Sequence, residues 1–281
     1  NKMTTAQKVI KYIATAFAIL LSITIISAIL TGIFGLLSVF GLINSEKEIA
    51  TDELKVISSE VKEVSTLKLE LASTNLEIKT GDSFKVETNN SKISFTNNNG
   101  SVKIKEENHN WLMNKNYISN LIIYIPENMM ILDETKIETG VGNINIQRLN
   151  TQGLYLELGA GNAYIENLDV TKKTKKNGGV KKTEIKSCEI NNLKANLGMG
   201  EFVFSGKLTG KNEIDSGVGA INIDLRDSLD NYTIEVSKGL GSVTLDGNKL
   251  EMDRVYGTGD NYLSVDGGIG EIKINEKMIN K

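Results

Sequence analysis

Gly140-Val141-Gly142-Asn143-Ile144-Asn145-Ile146 decides the fold, because the chain writes the same pattern six times. The pattern is Gly, any residue, Gly, any residue, apolar, any residue, apolar. Its copies begin at Gly140, Gly159, Gly198, Gly217, Gly239 and Gly268, with second glycines at Gly142, Gly161, Gly200, Gly219, Gly241 and Gly270. An apolar residue stands three positions before each first glycine: Ile137, Leu156, Ala195, Ile214, Val236 and Val265. Beyond the glycines come Ile144/Ile146, Ala163/Ile165, Phe202/Phe204, Ile221/Ile223, Val243/Leu245 and Ile272/Ile274. Period two on both sides of a glycine pair reads as strand, corner, strand, with one face apolar. Copies spaced mostly 19 to 22 residues apart have the repeat length of a solenoid. The expected fold is all-β, a parallel β-helix-like β-solenoid of glycine-cornered rungs about 20 residues long. A single rung buries too little to offset the ordering of its own backbone, so the rungs must stack.

Two intervals depart from the period. The 39 residues from Gly159 to Gly198 hold Gly178-Gly179 at their middle, and taking Gly179 as a corner puts Thr183 and Ile185 inward in a degenerate rung. The 29 residues from Gly239 to Gly268 contain Asp246-Gly247-Asn248 and Tyr256-Gly257-Thr258-Gly259, which predict an inserted turn or hairpin. Upstream, Leu67/Leu69/Leu71, Leu76/Ile78, Phe84/Val86, Ile93/Phe95 and Val102/Ile104 alternate between turn residues, as short strands of a meander or of the first rungs do.

From Tyr12 to Ser45 no residue is charged, longer than the ~20 apolar residues a helix needs to cross a bilayer. Lys2, Lys8 and Lys11 precede the run, and Glu46, Lys47 and Glu48 follow it. The positive-inside rule then places the N-terminus in the cytoplasm and the rest outside. The resulting map is a short cytoplasmic segment at 1–11, a retained transmembrane α-helix at 12–45, a stalk at 46–63, the solenoid at 64–276 and a tail at 277–281. Leu54, Ile57 and Val61 lie near helical spacing, so the stalk is expected to be a short helix.

Beyond Ser45 there are 29 basic and 35 acidic residues, a mildly acidic balance that argues against nucleic acid as a partner. A lone Cys188 forms no intrachain disulfide, and its distance in sequence from the sole histidine, His109, makes a nucleophile–base pair a poor reading. The glycine pairs lack the third glycine and following helix of a phosphate loop. The position after each pair carries no Asp of the kind calcium-binding repeats use, so no cofactor and no metal is expected. Asp224, Asp227 and Asp230 share one turn-rich stretch and carry the alternative reading, a membrane-tethered glycan-acting hydrolase or lyase on a β-helix scaffold. The outward positions Asn143, Asn145, Asn162 and Tyr164, with Lys172, Lys173, Lys175 and Lys176 of the lysine run, form the expected contact surface. That run suits an anionic polymer, but is read first as a solvated edge that discourages aggregation.

Gly217-Val-Gly-Ala-Ile-Asn-Ile-Asp-Leu and Tyr232-Thr-Ile-Glu-Val-Ser-Lys-Gly-Leu-Gly-Ser-Val-Thr-Leu-Asp-Gly, with Tyr124-Ile-Pro126 ahead of the first rung, resemble the bacterial putative-adhesin family of β-strand-repeat proteins over Leu67 to Ile274. The resemblance implies a non-enzymatic, membrane-anchored envelope protein, in some cases tied to envelope-stress regulation, and supplies no catalytic motif. The expected function is display of a solenoid for adhesion, or for binding anionic cell-wall polymer or envelope proteins.

Overall fold

The computed structural model describes residues 53–107, 118–129, 131–179, 181–250 and 255–277. The expected transmembrane helix and His109 lie outside them. Among the described residues no helix is long and apolar enough to cross a membrane. The body from Ile49 onward is one compact unit.

Each coil has three faces. The first runs through residues such as 134–141, turns at the glycine pair, and continues into a short second face, Ile144–Ile146. A second corner leads to a third face at 149–151, after which Leu149–Ala160 bends into the first face of the next coil. Successive coils pair in parallel register. Ile137 lies beside Leu156, and Ile144 beside Ala163. Ala163 in turn lies beside Thr183, Thr183 beside Phe202, and Phe202 beside Ile221. These inward positions are buried, so the periodicity read from the sequence is the wall of one continuous core.

The glycine corners stack directly. A Cβ at Gly219 would run into the carbonyl oxygen of Gly200, and its φ of 140° lies where side chains are strained. The degenerate rung exists and turns differently. Gly178 and Gly179 carry its positive φ values, and Lys181 stands where its neighbours have the second glycine, under Gly200. Thr183 and Ile185 point inward as expected.

The order of coils in space is not their order in sequence. At one end Thr66–Thr80 is a coil that turns its corner without glycine, flanked on one side by Ser101–Glu106 and Ser119–Ile125 and on the other by Ile131–Val141 and Ile144–Ile146. The later strands are thus the outermost coil, and the chain then steps back over its own start. The opposite end repeats the device. Asn261–Ile269 sits between Lys211–Val218 and Tyr232–Leu240, so the last coil is inserted inside the one before it. Of the two expectations for the upstream strands, Leu67/Leu69/Leu71, Leu76/Ile78 and Val102/Ile104 are rungs, paired in parallel, whereas Lys85–Thr88 and Ile93–Asn98 are antiparallel strands that cover the outermost coil. Covering an open edge removes a template for aggregation.

Where a corner would complete the outermost coil, the buried Glu106 replaces it. Its Oε2 accepts hydrogen bonds from the backbone N–H groups of Ala72 at 2.7 Å and Ser73 at 2.9 Å and from Thr74 Oγ1 at 2.9 Å. Its Oε1 accepts one from Asn90 Nδ2 at 3.1 Å. The hairpin expected between the last two glycine pairs is present, with Leu245 opposite Asn248 around Asp246-Gly247. The helical stalk is corrected over its described part. Lys55–Val56 is a strand pairing with 87–88, and the backbone N–H of Ile57 donates to Val86 O. Ile57 and Val61 pack against the core while Leu54 stays exposed, and pairing with the available sheet edge satisfies backbone groups that an isolated helical turn leaves open.

Candidate functional site

The structure separates the expected contact residues. Asn143 and Asn162 belong to a ladder of stacked asparagines that caps successive coils. Asn75 Oδ1 accepts from the Asn143 N–H at 2.9 Å, Asn143 Oδ1 from the Asn162 N–H at 3.0 Å, and Asn162 Oδ1 from the Lys182 N–H at 3.3 Å. Their side-chain oxygens therefore hold the corner together. Asn145 and Tyr164 are adjacent and exposed on the second face.

The lysine run is dispersed by strand alternation and by the corners. Lys172 and Lys173 are exposed where the third face turns into the first, Lys175 is half-buried on the outside of the first face, and Lys181 is exposed at the glycine corner. Lys182 pairs with Glu184 at 2.7 Å. Lys176 is corrected outright: it lies inside the solenoid at 1% exposure, in register with Leu156 on one side and Ala195 on the other. Its Nζ donates to Gly178 O at 2.5 Å, and burial pulls its pKa down to about 8. Ala195 beneath it and Gly179, which carries no Cβ, leave room for the long side chain.

The carboxylates of the enzymatic reading are also tied separately. Asp224 pairs with Lys277 at 2.6 Å and accepts from Asn275 Nδ2. Asp227 accepts from Asn231 Nδ2 at 2.7 Å and lies 3.6 Å from Lys207. Asp230 is exposed in the short 3₁₀ turn Leu229–Asn231. No metal-holding cluster of His, Cys, Asp or Glu occurs among the described residues. Cys188 is buried, donates from Sγ to Lys186 O at 2.7 Å, and burial raises its thiol pKa to about 12, so it packs as an inert small hydrophobe.

A site that the repeat did not reveal lies along the second corner, where a recess of about 670 Å³ is lined by Arg148, Asn150, Asp169, Ser187, Glu189, Lys207 and Arg226, with Leu168 and Cys188 among its other residues. Asn150, Asp169, Glu189 and Lys207 lie in one column, one per coil. The hollow has a local cause. Ser187 is an extra residue opposite which the next coil has none, and Gly206, beside Cys188, has no side chain to fill the wall. Arg226 Nη2 reaches back to donate to Ser187 Oγ at 3.1 Å. Arg148 contacts the exposed Glu127 at 3.0 Å. Three cations and two carboxylates thus share a polar trough on rigid stacked strands. Asn167 and Ser187 take positive φ at matching places, which no glycine in the sequence announces.

The fold and the trough define an all-β solenoid that presents a polar surface on stacked coils. Residues 64–181, which hold Tyr124-Ile-Pro126 and the first rungs at Gly140 and Gly159, match the family model described as Toastrack DUF4097. Among solved structures the chain is similar to a "putative cell adhesion protein" from Clostridium sporogenes (16% identity, 81% of this chain and 100% of that one, TM-score 0.35). It is also similar to a "putative adhesin" (11% identity, 80% and 97%, TM-score 0.38) and a "putative lipid binding protein" (10% identity, 81% and 98%, TM-score 0.35), both from Parabacteroides distasonis. None of the curated proteins compared matches the chain.

Proposed function

We propose that this is a non-enzymatic cell-envelope protein, held in the membrane by residues 12–45 with the solenoid outside the cell, which binds an anionic envelope component. The observation that carries the reading is the trough at the second corner, which Arg148, Lys207 and Arg226 line on stacked backbone. Cations on a rigid scaffold bind an anionic partner without first having to be ordered. The uncharged run at 12–45 and the lysines before it support the anchor and its orientation. A role in envelope-stress sensing would use the same contact as its input. Residues 46–281, incubated with isolated cell-wall material and with membrane extract, should be retained by one of them and released by raised salt. Full recovery in the unbound fraction at low salt would overturn the proposal.

A further inference from the structure

We propose that Lys176 and the cleft beside it, at the degenerate corner, bind one monatomic anion, a halide, within the wall of the solenoid. The first observation is a buried cation without a counter-charge. The Lys176 side chain is 1% exposed, in register between Leu156 and Ala195. Among the described residues its one hydrogen-bond acceptor is Gly178 O, and no carboxylate pairs with it. An ammonium group carries three N–H donors, so two are left over. A buried charge is tolerated where an opposite charge meets it and is strongly destabilising where none does.

The second observation is a place for the ion. A Cβ at Gly179 would stand 3.1 Å from Lys176 Nζ and 3.7 Å from Thr183 Oγ1, so the side chain that glycine lacks leaves a gap with a donor on either side. The same three residues border a narrow cleft of about 10 Å³, closed by Lys181 on their own coil and by Glu201 and Phe202 on the next. A space of this order takes one water-sized body, which admits a halide and excludes sulfate, phosphate and carboxylates.

The third observation is the balance of charge. Lys176 and Lys181 border the cleft against a single carboxylate, Glu201, which is held elsewhere: its Oε1 accepts from Asn222 Nδ2 at 3.3 Å, and its Oε2 lies 3.7 Å from Lys182 Nζ. The coil on the far side presents Leu156, Leu158 and Ala163 to Lys176, Gly178 and Thr183. A water in the gap would satisfy the spare donors and leave the charge uncompensated. An anion does both, and its attraction to the ammonium is strong away from bulk solvent.

The test unfolds residues 46–281, which hold the compact body from Ile49 onward, in urea while gluconate is exchanged for chloride at constant ionic strength. At pH 7 chloride should raise the urea midpoint of the parent by roughly a few tenths of a molar, following the logarithm of its concentration once the site fills. Lys176→Met should show none of this rise. In gluconate it should be the more stable of the two, and chloride should narrow the gap. At pH 10 the parent should lose its chloride response, because burial pulls the folded amine's pKa down to about 8 and a neutral amine offers no charge. Sulfate should stabilise parent and variant alike, as an ion excluded from the surface does. Crystals of the parent soaked in bromide should show an anomalous peak between Lys176 Nζ and Thr183 Oγ1. An equal chloride response in parent and Lys176→Met, or density at that place without anomalous signal, as a water gives, would overturn the inference. Either result leaves the trough and its proposed partner untouched, since Lys176 does not line it.

Discussion

Two adjacent coils of the same solenoid differ in their interiors, one wholly apolar and one part polar. The coil entered at Leu154 fills its inside with Leu154, Leu156, Leu158, Ala163, Ile165 and Leu168. The coil stacked on it places Thr174 beside Leu154, Lys176 beside Leu156, Gly178 beside Leu158 and Thr183 beside Ala163. Thr174 Oγ1 is buried without a hydrogen-bond partner. Yet backbone register is kept along both, apart from the bulges at 170–173 and 187. Parallel ladders and close corners on either side hold the polar coil in place, and its apolar neighbours outweigh its own unfavourable interior.

The corner separates the two coils most sharply. Gly219→Val, at a regular corner, forces a Cβ into the Gly200 carbonyl and should cost at least about 4 kcal/mol or abolish folding. At the other extreme, Lys181 already occupies the equivalent place in the polar coil, so Lys181→Ala should change the unfolding free energy measured in denaturant by less than about 0.5 kcal/mol. If Gly219→Val were equally silent, stacked glycine would not be what holds the coils.

Side chains come next. Leu156→Ala should destabilise by about 2–4 kcal/mol through the cavity it leaves. Its register partner should do the reverse, and Lys176→Met should stabilise by about 3 kcal/mol near pH 7. The folded pKa of Lys176, about 8, lies below the unfolded value of 10.5, so between them the unfolded chain binds more protons. The penalty is complete below pH 8 and fades as pH rises toward 10.5. Urea unfolding at pH 7 and pH 10 should show the gap between Lys176→Met and the parent shrinking, and a constant gap would mean that the amine is not desolvated. Thr174→Val should gain about 1 kcal/mol by removing an unpaired hydroxyl.

Much of this was legible beforehand. Ile137, Leu156, Ala195, Ile214, Val236 and Val265 are all buried in the core, as the pattern around the glycines required. The degenerate corner at Gly179 and the inserted hairpin near Asp246 also followed from turn chemistry. Lys176 was not legible as buried. A lysine at an inward position of a lysine-rich run gives no sign by itself that Ala195 and Gly179 will make space for it. The trough was hidden for a related reason, since it arises from one residue more at Ser187 than in the coil beside it.

By itself the sequence determined the regular coil: where it turns, which apolar side chains beside the glycine pairs face in, and that coils must stack to share a core, because alternation and glycine conformation act over a few residues. Only the tertiary structure decided which coil lies against which, with Thr66–Thr80 and Asn261–Ile269 inserted beneath strands of different chain order. Every coil offers the same parallel edge of backbone donors and acceptors, so local pattern does not distinguish one neighbour from another. The order is set by connections and capping strands that act across the whole stack.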